Sequence, residues 1–189
     1  GKAVQADVHR HIAQPLAPIA TSSRRSTRSD RVRWGWLIRA FRILSRRYAD
    51  PSSRALNGEG ARRKGGRWNR PGTAVAYASP TKALAILEYL ANVDALGAPS
   101  NLVIAIADFD EDMVDRTPPP TGWNAIGSNM AKAHGELWVA ERRSAVLAVP
   151  SVVVPGDENY GINSHHPDFP RLRVHTDVET YDIDSRFFR

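Results

Sequence analysis

The 189 residues contain no cysteine. That excludes disulfides and thiolate metal sites, and a fold without covalent staples suits a reducing cytoplasm. No run approaches the ~18 consecutive apolar residues of a membrane-spanning helix, so no span is expected. Neither G-x-G-x-x-G after an early strand nor G-x-x-x-x-G-K-S/T occurs, so neither a Rossmann nor a P-loop site is indicated. The acidic residues Asp108, Asp110, Glu111, Asp112 and Asp115 lack the alternating Asx pattern of a calcium loop and read as a solvated strand-to-helix turn. His9 and His11 have no third ligand beside them, so no metal is expected there.

What is present fits one globular domain with a tail, at 42% hydrophobic and 24% charged residues. The net charge of +6 is unevenly spread. Residues 1–47 carry eleven Lys and Arg against Asp7 and Asp30, a net of +9; the remaining fifteen basic and eighteen acidic residues give −3. Residues 1–35 show no sustained period and read as a basic, flexible arm, with the domain over 36–189. The arm also resembles a transit peptide in its Arg and Ser content. Because the domain itself is not basic, a nucleic-acid-binding module is the remote alternative, and no direct nucleic-acid contact is expected.

The stretch from Leu56 to Glu88 concentrates the chemistry. Gly58, Gly60, Gly65 and Gly66 permit tight turns and close backbone approach. Arg62, Arg63, Lys64, Arg67 and Arg70 supply positive charge, and the arginine fork suits phosphate oxygens. Trp68 offers a stacking face, Asn69 an amide, Tyr77 a ring with a hydroxyl. Thr73–Tyr77 reads as a short strand after the Pro71-Gly72 turn, and Ser79-Pro80 as the cap of a helix over roughly 81–96. In that helix Leu84, Leu87, Glu88 and Ala91 share one stripe, which turns a carboxylate toward the core. Burying an unpaired charge costs several kcal/mol by the usual order of magnitude. Glu88 is therefore either paired, as in a salt bridge to a core-edge arginine, or protonated, or lining a cleft.

Elsewhere, an apolar stretch from Trp34 ends in a strand near Ala40–Leu44, where alternation projects Arg42 opposite to Phe41 and Ile43. Arg47 and Tyr48 border the same cleft. Asn101–Phe109 reads as a central buried strand. Ser128–Glu141 reads as a helix with Met130, Ala133, Leu137 and Ala140 at helical spacing and His134 between turns. Arg143–Val149 reads as a strand, 152–155 as extended chain, 157–163 as turns and 171–183 as an edge strand.

The run GEGARRKGGRWNRPG, with Tyr77 ten positions after Arg67 and Glu88 eleven further on, resembles the RES domain. The segment from Arg143 to Phe169 resembles that family's closing half, and the likeness extends from about Phe41 to Phe188. The resemblance implies an α+β, ADP-ribosyltransferase-like mixed β core flanked by helices. It implies a bacterial, cytoplasmic toxin that degrades NAD+ as a consumed substrate, with no tightly bound cofactor. Neutralisation by a cognate antitoxin with a DNA-binding helix-turn-helix portion follows, and a homodimer stays open. In the family an arginine on the first strand binds the ligand, matched here by Arg42, and the family serine falls on Ser151, with Ser144 in reserve.

Cleaving the nicotinamide–ribose bond develops positive charge on the sugar, as in glycoside hydrolysis. Glu88 is the candidate to stabilise it, with Arg42 and Arg67 on the pyrophosphate and Tyr77 stacked on nicotinamide. Trp68 or Tyr48 completes the wall, Asn69 holds either the ribose or the loop, and Gly66 and Arg47 border the ligand. Ser151, with no histidine–carboxylate pair nearby in sequence, is better suited to positioning than to attack. Transfer of ADP-ribose to a protein uses the same pocket and is the alternative reaction.

Overall fold

Strand pairing starts ahead of the expected Ala40 in the computed structural model, which describes residues 36–49, 52–92, 101–175 and 179–188. In chain order the strands are β1 (Leu37–Ser45), β2 (Ala76–Ala78), β3 (Leu102–Asp110), β4 (Val114–Asp115), β5 (Val146–Pro150), β6 (Glu158–Ile162), β7 (Arg173–Val174) and β8 (Glu179–Tyr181). The helices are α1 (Glu59–Lys64), α2 (Lys82–Ala91) and α3 (Asn129–Ala140). The arm over residues 1–35, with His9 and His11, lies outside the described residues, as do residues 93–96 of the expected helix.

β3 is central in the first sheet, flanked antiparallel by β1 on one side and by β7 and β8 on the other. Its burial on both faces explains its nearly unbroken apolar sequence. The second sheet has the order β2-β6-β5-β4, antiparallel except for the parallel β4–β5 pair. The architecture is thus α+β with a mixed β core.

Alternation divides each sheet cleanly. Ala76, Ala78, Tyr160, Ile162, Val146 and Ala148 pack against Ala40, Ala107 and Phe109 of the first sheet. Alanines at facing positions let the sheets approach, and Phe109 meets Tyr160 edge-on at 5.4 Å between centroids. On the opposite face of the second sheet, Val75, Leu147 and Val149 pack with Trp68 and with Ala131 and Trp138 of α3. α2 covers Ile43, Leu102 and Ile104 of the first sheet with Ala85, Ile86 and Tyr89. Among the described residues, no helix is long and apolar enough to cross a membrane.

Several local expectations are corrected. The N-cap of α2 is Thr81, whose Oγ1 accepts the Leu84 N–H at 3.1 Å, and not Ser79. Ser79 is claimed by a bridge to β1, exchanging two backbone hydrogen bonds of 2.8 Å with Phe41, which delays the helix by two residues. The inward face of α2 is rotated, so Leu87 is 39% exposed while Ala85 is buried. α3 is rotated likewise: Ala131, Gly135 and Trp138 face in, Met130 and Leu137 face out. Gly135 sets that orientation, because a Cβ there would lie 2.0 Å from the Trp68 carbonyl oxygen. Residues 158–162 form an inner strand where turns are expected from Asn159 and Gly161. Residues 152–154 bend instead of extending, closed by the Ser151 N–H on Asp157 O at 2.8 Å.

The acidic residues around 108–115 are held by cations rather than merely solvated. Asp108 accepts from Arg39 Nε and Nη2 at 2.8 and 2.9 Å and contacts His175 Nε2 at 3.0 Å. Arg171 reaches Asp112, and Arg143 reaches Asp115.

Candidate active site

A cleft of about 1160 Å³ opens beside β1, and its wall includes Arg42, Arg47, Tyr48, Gly66, Arg67, Trp68, Tyr77 and Glu88. The expected meeting of the arginine-bearing loop and the acidic helix face is therefore present. Among the described residues, seven cationic side chains line it against two carboxylates, Glu59 and Glu88. A domain whose sequence is close to neutral thus collects positive charge in one hollow, which favours an anionic ligand.

The loop preceding β2 is built around Asn69, which is fully buried. Its Nδ2 donates to the carbonyls of Ala61, Arg70 and Thr73 at 3.0, 3.1 and 2.9 Å. Its Oδ1 accepts the Tyr77 hydroxyl at 2.6 Å, and that hydroxyl accepts the Trp68 N–H at 3.2 Å. Asn69 therefore holds the loop, with its amide hydrogens spent on carbonyls and its side chain fully buried. Gly66 serves the same knot: a Cβ there would lie 2.8 Å from both Asn69 Oδ1 and Tyr77 Oη, and its N–H is taken by Asn69 O at 2.9 Å. Gly66 is a packing requirement, not a donor to ligand. Burial raises the Tyr77 phenol above its ordinary range, so it stays neutral and keeps its ring in the wall.

Trp68 is corrected too. Its ring is 4% exposed and is stacked on Trp123 at 5.4 Å, with His134 at its edge at 6.0 Å. The stacking face is thus satisfied within the protein, and Tyr48, 52% exposed at the rim, remains as the open ring. The Arg47 guanidinium sits 4.7 Å from the centre of that ring.

The arginines divide by partner. Arg62 pairs with Glu59 at 2.7 Å, and Arg70 pairs with Glu136, so both are diverted from the cleft. Arg67 is exposed, lines the cleft and has no partner among the described residues. Arg42 projects opposite to Phe41 and Ile43, as alternation requires, and donates from Nη1 to Tyr77 O at 2.8 Å. Its Nε is buried without a partner, and burial pushes its pKa down to about 10. It remains a cation at neutral pH, with no carboxylate partner among the described residues.

Glu88 is half-buried in the cleft wall, with no arginine paired to it among the described residues. Its Oε1 accepts from Ser151 Oγ at 2.6 Å and from Asn159 Nδ2 at 2.6 Å. Ser144, by contrast, donates to Val146 O at 2.7 Å and accepts from Trp138 Nε1 at 2.8 Å, which makes it part of the core. Sequence reasoning missed Asn159 and Ser79. Ser79 Oγ donates to Asn159 Oδ1 at 2.6 Å. Only the alternation of Tyr160 and Ile162 could have revealed the strand that carries Asn159.

The family model of the RES domain matches residues 39–184. The chain is 34% identical to the Prs ADP-ribosylating toxin of Sphingobium sp. (strain YBL2), over 71% of this chain and 87% of that protein. It is 30% identical to the protein named Toxin Res of Photorhabdus laumondii, over 79% and 96%. A chain of the M. tuberculosis MbcT–MbcA toxin–antitoxin complex shares the fold, with a TM-score of 0.56 at 18% identity over 82% of this chain and 88% of that one.

Proposed function

The chain belongs to the RES domain family, and from that premise we propose that it is the toxin of a type II toxin–antitoxin pair that consumes NAD+. The reaction breaks the bond between nicotinamide N1 and ribose C1′. The bonding electron pair leaves with the ring nitrogen, which neutralises the pyridinium, and C1′ becomes oxocarbenium-like. An acceptor then adds at C1′ and releases its proton; with water the products are ADP-ribose, nicotinamide and a proton.

The observation that carries this reading is a carboxylate fixed by neutral donors in a cleft whose charged side chains are mostly cations. Glu88 stabilises the developing charge on the ribose. Electrostatic stabilisation of that type contributes about 3–4 kcal/mol, by analogy with a single oxyanion-hole donor. Arg42 and Arg67 bind the pyrophosphate, so that binding energy far from C1′ orients the reacting bond. Arg42 suits this role because among the described residues it has no carboxylate partner and its Nε is unbonded. The Tyr77 and Tyr48 rings flank nicotinamide, and Arg47 extends the anion-binding rim. Ser151 orients Glu88 and does not attack. No tightly bound cofactor enters this scheme, because NAD+ is the consumed substrate.

Transfer to a protein side chain is the second reading, favoured by the relative named as an ADP-ribosylating toxin. Phosphate as acceptor is a further variant. Mass spectrometry of the products from purified protein and NAD+, with and without phosphate, separates the acceptors. Free nicotinamide is expected in every case, and its absence contradicts the proposal. The partner is a cognate antitoxin with a DNA-binding helix-turn-helix portion, and the site of action is the bacterial cytoplasm.

A further inference from the structure

Both hydrogen bonds on Glu88 fall on one oxygen. Oε1 receives Ser151 Oγ and Asn159 Nδ2, whereas Oε2 has no partner among the described residues. Turning the carboxylate breaks both bonds at once, so the open oxygen has a fixed direction.

The second donor comes from the pleat. β2 and β6 pair Ala76 with Ile162, Tyr77 with Gly161 and Ala78 with Tyr160. The same register sets Ser79 opposite Asn159, where side chains of an antiparallel pair meet on one face. Asn159 is also opposite Val149 of β5, and Ser151 follows two residues later. Ser79, Asn159 and Ser151 thus form a row beneath Glu88, at 3%, 8% and 4% exposure.

We propose that Asn159 is a positioning residue for Glu88, holding Oε1 so that Oε2 faces the ribose, and that Ser79 fixes the sense of the amide. The role rests on the NAD+-cleaving reading. Reversing the amide would set its carbonyl oxygen 2.6 Å from the carboxylate oxygen, acceptor against acceptor. In the observed sense Ser79 donates to Oδ1, and the donors run in one direction from Ser79 through Asn159 to Glu88.

The test is steady-state kinetics on the whole purified chain, reading nicotinamide release, alongside calorimetric NAD+ affinity. A hydrogen bond to a charged group corresponds to roughly 10–100-fold in rate, so Asn159→Leu is expected to lower kcat by that factor while KM and NAD+ affinity stay within about threefold. Asn159→Asp is nearly the same size but replaces the donor with an oxygen, and is expected to damage kcat at least as much at neutral pH. Ser79→Ala gives a smaller loss in the same direction. A wild-type kcat in Asn159→Leu or Asn159→Asp overturns the role, and so does a loss shared equally by KM and affinity. A urea-unfolding cycle of Asn159→Leu with Glu88→Ala needs no substrate: non-additive stabilities support the contact, and additive ones refute it. Wild-type protein that releases no nicotinamide removes the reaction, and the role with it, while the cycle still reads the contact.

Discussion

Ser151 Oγ lies 2.6 Å from Glu88 Oε1 and also accepts the Val154 N–H at 2.9 Å. With one lone pair taken by the backbone N–H, the hydroxyl directs its only proton to the carboxylate and so orients Glu88. Ser151→Ala is therefore expected to lower kcat about 10–100-fold, the value of one hydrogen bond to a charged group. Kinetics with mass spectrometry of the protein after NAD+ checks it. Complete loss of turnover together with a covalent adduct on Ser151 in the wild type would make the serine a nucleophile.

Arg42 is a half-buried cation with an enclosed Nε and no carboxylate partner among the described residues. Arg42→Met keeps the packing of its stem and removes the charge. Stability in urea should hold or rise by about 1 kcal/mol, while KM for NAD+ rises at least about tenfold if the guanidinium binds the pyrophosphate. The folded pKa is depressed to about 10, so the cost of the buried charge is full below that pH and fades as pH climbs toward the unfolded value. The stability difference between Arg42→Met and wild type is thus expected to be flat across neutral pH and to shrink only above about pH 10. A difference that changes near neutrality assigns it to another group.

Asp108 accepts from Arg39 and His175, and the Arg39 hydrogen bonds, before those of His175, pull its carboxyl down to about 2. A depressed acid contributes stability that is present above its ordinary pKa of 3.8 and lost as pH falls toward 2. Asp108→Asn should flatten the acid limb of the stability curve in that window. Because the Arg39 side chain is 54% exposed, added salt should shrink the effect. An unaltered acid limb would show that the pair contributes nothing.

Gly135 places the α3 backbone against the Trp68 carbonyl, where a Cβ would lie at 2.0 Å. Gly135→Ala is expected to cost on the order of 3 kcal/mol in urea unfolding. It should also raise KM, because Arg67 precedes the displaced residue. Wild-type stability would contradict the packing.

What was legible in the sequence had a period or a charge in the wrong place. Arg42 between two apolar residues, and Glu88 among leucines and alanines, revealed their directions through the pleat and the helical turn. The buried strand at 102–110 announced itself by composition. What stayed hidden was tertiary. Asn159 and Gly161 suggest a turn, and only pairing with strands on both sides makes them a ladder. The inward face of α3 is chosen by a glycine that lets one backbone touch another, which apolar periodicity does not register. Trp68 looks like an open stacking face until Trp123, fifty-five residues later, covers it.

The central claim is that Glu88, held on one oxygen inside a cationic cleft, breaks the nicotinamide–ribose bond. The direct measurement is free nicotinamide released from NAD+ by the purified chain, wild type beside Glu88→Gln, which keeps the size of the side chain and removes its charge. Rapid release by the wild type and a loss of at least about 100-fold in the variant is the expected result. Equal release by both proteins, or none by the wild type, contradicts it.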